Sequence, residues 1–233
     1  MIIKAFASGS SGNAYYVFDG ETPLLIECGI PIKQLEIALD FRLSEIRGCL
    51  VTHAHQDHCK CAAQLVSRGV DVYSSAGTFN AISLSSHRCC VIKSKNQFKI
   101  GSWDVLPFDV QHDAPEPLGF LLQSVVTGEK LLYFTDTYYL KYRFNGLTHI
   151  MGECNYEIRI LDKNIADGKY PKEIKNRLLK SHMSLDTFLE FLKANDLSKL
   201  QQVHLVHLSN YNSNADYFKE CIQRVTGVGV YVL

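Results

Sequence analysis

Apolar and polar residues alternate in short runs from the start of the chain, and these runs predict strands with tight turns. Ile2–Ala7 and Ala14–Phe18 are rich in β-branched and aromatic residues, and Asp19-Gly20 marks a hairpin before the apolar run Pro23–Glu27. Pro31 then opens a helical spacing through Leu39, with Ile32, Leu35, Ile37, Ala38 and Leu39 apolar. Gly48–Thr52 reads as a buried strand, followed by a helix from His58 to Arg68 that Gly69 stops. A strand over Val70–Ser74 and a short helix over Thr78–Leu84 complete this part.

The second half repeats the pattern with longer helices. Phe98–Trp103 holds a hairpin turn leading into Asp104–Gln111, and Leu118–Val126 pairs with Lys130–Thr135 about the turn Thr127-Gly128-Glu129. His149–Glu153, Val203–Val206 and Gly229–Leu233 are further strands. Helices are expected over Asn155–Ile165, Pro171–Lys180, from a Ser184 cap to Ala194, and over Asn214–Val225. No Pro/Gly/Ser-rich linker divides the chain, so one domain over residues 1–233 is expected. Its class is α/β, with two sheets face to face and helices outside.

Composition narrows the function classes. With 46% hydrophobic and 21% charged residues in 233, the chain is neither disordered nor of low complexity. Lys plus Arg number 24 and Asp plus Glu 24, so bulk attraction to nucleic acid is excluded and only a local basic patch could supply it. No run approaches the ~20 apolar residues of a membrane span. Met1–Ser11 carries small polar residues where a signal peptide has its apolar core, so a cytoplasmic location without a membrane partner is expected. The eight cysteines are then expected as reduced thiols filling the core, since Cys59-x-Cys61 and Cys89-Cys90 lack the gap of paired zinc ligands.

The strongest chemical signal is Thr52-His53-Ala54-His55-Gln56-Asp57-His58, between a buried strand and a helix. Three imidazoles and a carboxylate within six residues are a dense set of metal-ligand types. A sharp turn at the strand end can aim His53 and His55 at one ion while Asp57 and His58 face another. Four ligands do not complete two sites. His112, Asp136 and His207 each stand at the end of an apolar strand, and together they match what the first motif lacks.

These motifs resemble those of the metallo-β-lactamase-fold hydrolases, whose signature is a His-x-His-x-Asp-His loop followed by a His, an Asp and a further His. The likeness covers nearly the whole chain and is nearest to the YycJ-like (WalJ-like) branch, through Ser8–Asn13, Glu153-Cys154-Asn155, Ser181-His182-Met183-Ser184 and His207-Leu208-Ser209. It implies an αββα four-layer sandwich with two divalent metal ions, Zn²⁺ or Mn²⁺ foremost and Fe as a further candidate. It also implies that His53, His55 and His112 hold the first ion, Asp57, His58 and His207 the second, and that Asp136 bridges them. A metal-activated water would be the nucleophile, with Asp57 orienting it or taking its proton.

The same resemblance places His182 beside the metals, on the scissile phosphate or the leaving oxygen. Ser8, Ser10, Ser11 and Asn13 lie in a Gly/Ser loop whose N–H groups and hydroxyls can meet an anion. Glu27 stands where the family usually has Asp, supporting the His loop from behind, and Glu153 either compensates or serves separately. Lys169, Lys172, Lys175, Arg177 and Lys180 either track a phosphate backbone or form a solvated helix face.

The reading that follows is a dinuclear phosphodiesterase, a DNA exonuclease acting on single strands or ends. The alternatives are a small-molecule hydrolase (thioesterase, lactonase or cyclic-nucleotide phosphodiesterase) and a non-catalytic metal-binding scaffold. No obligate protein partner is implied.

Overall fold

In the computed structural model, which describes residues 1–233, the chain forms two compact units. The first comprises Met1–Asp109 with Ala114–Glu129, and the second Val110–Asp113 with Lys130–Leu233.

The first unit carries a six-stranded sheet in sequence order: β1 (Ile2–Ala7), β2 (Ala14–Phe18), β3 (Pro23–Ile26), β4 (Cys49–Leu50), β5 (Val72–Ser74) and β6 (Cys89–Val91). β1 to β3 are antiparallel, whereas β3 to β6 run parallel through crossovers made by α1 (Ile32–Ala38), α2 (Gln56–Cys59), α3 (Ala62–Ser67) and α4 (Ala76–Ala81). Leu24, Leu25, Ile26, Cys49 and Leu50 are fully buried, as expected of parallel strands covered on both faces. A meander of β7 (Phe98–Ile100), β8 (Trp103–Asp109) and β9 (Leu118–Ser124) belongs to the same unit. Buried Trp103 ties it to the first hairpin through Nε1–H donated to the Thr22 carbonyl at 2.9 Å.

Asp19 is the polar counterpart of that tie. Its carboxylate accepts the backbone N–H of Glu21 and Thr22 and the hydroxyls of Ser102 and Ser124 at 2.6–3.0 Å. Burial alone would raise its pKa, but these four donors hold it below the usual carboxylate value.

In the second unit, β10 (Lys130–Phe134), β11 (His149–Glu153), β12 (Gln202–Val206) and β13 (Gly229–Val232) are all parallel. Their helices are α5 (Ile158–Ala166), α6 (Lys172–Ser181), α7 (Leu185–Lys193) and α8 (Ala215–Thr226). Ser184 caps α7 and Asn214 caps α8 through side-chain oxygens, and Gly227 ends α8 in the left-handed region at φ 71°. Gly152 is required by packing, because a Cβ there would lie 2.4 Å from Phe134 and 2.6 Å from Phe188.

Three expectations are revised. The helix foreseen over His58–Arg68 is two helices, because the Cys61 N–H bonds the Cys28 carbonyl at 3.0 Å instead of continuing the helical ladder. The helix foreseen from Asn155 starts at Ile158, with Glu157 as its cap. The strand β6 was not foreseen; Cys89-Cys90-Val91 is too short to show a period. All eight cysteines are free, and Cys28, Cys49, Cys59, Cys61 and Cys154 are buried. No helix is long and apolar enough to cross a membrane.

Candidate active site

In the first unit, ligand-type side chains gather where β3 and β4 end. Glu27 leaves β3 with φ 63°, a left-handed conformation that a glutamate adopts only at a cost, and is fully buried. Its carboxylate accepts the Thr52 hydroxyl at 2.6 Å, and that oxygen lies 2.9 Å from His53 Nδ1. A hydroxyl has one proton. With that proton given to Glu27, the Thr52 oxygen must accept from His53 Nδ1–H, which leaves the Nε2 lone pair directed away. Nε2 lies 3.1 Å from His55 Nδ1. The His53 and His58 rings have centroids 4.2 Å apart, and His58 Nε2 stands 3.3 Å from Asp57 Oδ2. His58 Nδ1 faces Glu27 Oε1 at 3.5 Å, so one buried carboxylate backs two imidazoles. Glu27, foreseen as a departure of uncertain geometry, reaches both.

Asn13 fixes the backbone of this turn. Its N–H and its Nδ2 donate to the Asp57 carbonyl at 2.7 and 3.1 Å, and Nδ2 also stands 3.3 Å from His58 Nε2. Its Oδ1 accepts from Gly9 N and from Tyr15 OH, and the Tyr15 oxygen in turn accepts from the Ser8 hydroxyl at 2.9 Å. Ser10 and Ser11 are exposed. Gly29 is indispensable here, since a Cβ would sit 1.7 Å from the Asp57 carbonyl oxygen. Thr52 and Tyr15 were not singled out from the sequence; Thr52 stands directly before His53 and could have been.

In the second unit the side chains come from separated segments. Asp136 follows β10 and His207 follows β12, both left-handed at φ 48° and 55°. Two non-glycine residues strained at the ends of β10 and β12, the strands on either side of β11, point to a functional position. Asp136 Oδ1 lies 3.4 Å from His207 Nδ1 and 3.7 Å from His182 Nδ1, and Oδ2 lies 3.6 Å from His112 Nε2. Asp136, Glu153, His182 and His207 each offer a ligand atom within 4.8 Å of the others.

Glu153, fully buried at the end of β11, is the anchor of this group. Oε1 is 2.5 Å from His182 Nδ1 and 3.3 Å from His207 Nδ1, while Oε2 accepts the N–H of Thr137 at 3.1 Å and of Met183 at 3.3 Å. Burial alone would raise the Glu153 pKa, but the charge and hydrogen bond of His182, aided by His207, hold it below the usual value. Burial works against the His182 charge as well, and Glu153 overrides it, so His182 lies above the ordinary histidine pKa. Asn155 donates Nδ2–H to the His207 carbonyl at 2.7 Å, and its Oδ1 is buried without a hydrogen-bond partner. Neither contact was foreseen, because 29 residues separate Glu153 from His182 and 52 separate Asn155 from His207.

The basic stretch divides. Lys169 pairs with Asp167 at 3.1 Å, Lys175 pairs with Asp162, and Arg177 Nε reaches Asp113 at 3.4 Å, beside His112 in sequence.

The donor set in each unit, imidazoles with carboxylates, fits a divalent cation. The profile of the family described as Beta-lactamase superfamily domain matches residues 22–207. The chain belongs to that family. Among its relatives, exodeoxyribonuclease YycJ of Bacillus anthracis is 27% identical, over 95% of this chain and 88% of the relative. Exodeoxyribonuclease WalJ of Streptococcus pneumoniae is also 27% identical, over 96% and 89%. The metallo-β-lactamase fold protein YhfI of Bacillus subtilis superimposes with a TM-score of 0.75 at 13% identity, covering 99% of this chain and 95% of YhfI. The expected metallo-β-lactamase fold is therefore correct, and this family member is a metal-dependent hydrolase.

Proposed function

We propose that this hydrolase is a dinuclear phosphodiesterase that degrades DNA from single-stranded or free ends. His53, His55 and His112 would hold one ion, Asp57, His58 and His207 the other, with Asp136 shared. Zn²⁺ or Mn²⁺ suits these donors. Two bound cations would lower the pKa of the attacking water and offset charge on the phosphoryl oxygens.

The chain's own groups divide the remaining work. Asp57 would orient the attacking water or accept its proton. Its place is set by the Asn13 bonds to its carbonyl. Glu27 fixes His53 through Thr52 and backs His58 directly. His182 contacts the scissile phosphate and hands a proton to the leaving oxygen from the ring nitrogen opposite Glu153. Ser8, Ser10, Ser11 and Asn13 form the loop offered to the substrate's anionic backbone. The cytoplasm is the proposed location.

The observation that carries the phosphodiester reading is the 2.5 Å contact between Glu153 and His182. A carboxylate committed to Nδ1 fixes the ring and favours its charged form, as an alkoxide leaving group requires. A thioester expels a thiolate, which leaves without such an acid. The exodeoxyribonuclease names of the two relatives support the same substrate class. Activity on end-labelled single-stranded DNA with Mn²⁺ or Zn²⁺ tests it, run beside a thioester and a lactone. Stepwise DNA products are expected. Hydrolysis of the thioester or lactone without DNA cleavage would transfer the reading to small-molecule hydrolysis.

A further inference from the structure

We propose that a cavity of about 390 Å³ in the first unit, lined by Ser75, Ile92, Lys93, Asp109, Glu116 and Leu118, holds the base of the terminal nucleotide. This rests on the nuclease reading and adds a preference among bases.

The cavity is attached to the metal-ligand turn by two hydrogen bonds. Leu118 N–H donates to the carbonyl of Thr52, the residue before His53, at 3.0 Å. Ser74, next to Ser75, donates its hydroxyl to the Val51 carbonyl at 2.8 Å. The cavity wall is therefore fixed to the strand end that carries His53 and His55. The loop between Asp109 and Glu116, both of which line the cavity, also carries His112.

Its chemistry selects the occupant. Ile92 and Leu118 are buried apolar walls, suited to the faces of a flat ring. The rim carries two carboxylates, Asp109 and Glu116, and one ammonium, Lys93. That balance repels a second phosphate and suits the exocyclic amino group of a base, which carboxylates accept from. Glu116 is held ready for this. It sits at φ 45°, and its Oε2 accepts the Gly77 N–H at 2.7 Å, leaving Oε1 as an acceptor. A Cβ at Gly77 would lie 3.0 Å from Glu116 Cγ, so the side chain lies closely over the first turn of α4.

The test compares single strands that differ only in a terminal dC or dT, pyrimidines that differ in this amino group. Bis(p-nitrophenyl) phosphate, which has no base, is run in parallel. The wild type is expected to cleave dC ends about 10-fold faster than dT ends in kcat/KM. Glu116→Ala, at an exposed position, is expected to reduce that ratio below about 2-fold. Ala76 also lines the cavity, and Ala76→Phe, which fills it, is expected to raise KM for both strands; an unchanged KM would overturn the pocket. Equal cleavage of dC and dT ends by the wild type would overturn the base pocket while the nuclease reading stood, and so would a ratio that survives in Glu116→Ala. Hydrolysis of the base-free diester with no DNA cleavage would overturn the nuclease reading and the pocket with it.

Discussion

In the first unit, His53, His55, Asp57 and His58 come from six consecutive residues; in the second, His112, Asp136, Glu153, His182 and His207 come from five separate segments. The difference extends to how each group is held. The first is fixed by close backbone approach, with Gly29 against Asp57 and Asn13 bonded to the same carbonyl. The second is fixed by one buried carboxylate, Glu153, and by left-handed backbone at Asp136 and His207. A local motif needs little beyond a rigid turn. A dispersed one needs an anchor that several segments share.

The largest effect expected from this contrast is steric. Gly29→Ala places a methyl 1.7 Å from the Asp57 carbonyl oxygen, and displacement of α2 should cost more than about 4 kcal/mol. Urea unfolding followed by the hydrogen exchange of each unit would check it. Loss confined to the first unit is expected; a stability within about 1 kcal/mol of wild type would contradict it.

Next come the two supporting carboxylates. Glu153→Gln and Glu27→Gln should each cost about 10–100-fold, but in different quantities. For Glu27→Gln the loss should lie in metal affinity, since His53 and His58 lose their support. For Glu153→Gln it should lie mainly in kcat, since His182 loses the carboxylate that orients it. Metal titration and steady-state kinetics on both variants separate the two. Identical profiles would erase the distinction.

A third effect is in acid. Burial, aided by His149, depresses the His204 pKa to about 4, so this strand histidine is neutral in the fold. The unfolded chain takes up its proton near pH 6.5, and the second unit therefore loses stability as pH falls from ~6.5 to about 4. The loss should be about 1–3 kcal/mol. Asp19 in the first unit is depressed below its ordinary carboxylate value, so its stabilisation is present above that value and is lost only at lower pH. Hydrogen exchange at pH 5 should show β12 loosening before the Asp19 hairpin, and His204→Leu should remove the difference.

Much of this arrangement was legible because strand ends and ligand residues coincide in the sequence. The apolar run Cys49-Leu50-Val51 ahead of the His53 motif identified the first turn, and Tyr133-Phe134-Thr135 ahead of Asp136 identified a second. Supports were less legible. Contacts such as Glu153–His182 join the end of β11 to the end of α6, 29 residues on, which no local period encodes. The left-handed backbone at Glu27 was hidden too, because a glutamate does not signal it, whereas Asp136 and His207 are of types that tolerate it. The break after Cys59 arises from a bond to Cys28, far back in the chain.

Metal content per chain tests the proposed two-ion site most directly. Purified wild type, Asp57→Ala and Asp136→Ala would be compared by elemental analysis after loading with Zn²⁺ or Mn²⁺ and desalting. About two ions in the wild type are expected, about one in Asp57→Ala, and fewer than one in Asp136→Ala, where the carboxylate proposed to be shared is gone. One ion or none in the wild type, or full occupancy in Asp136→Ala, would contradict it.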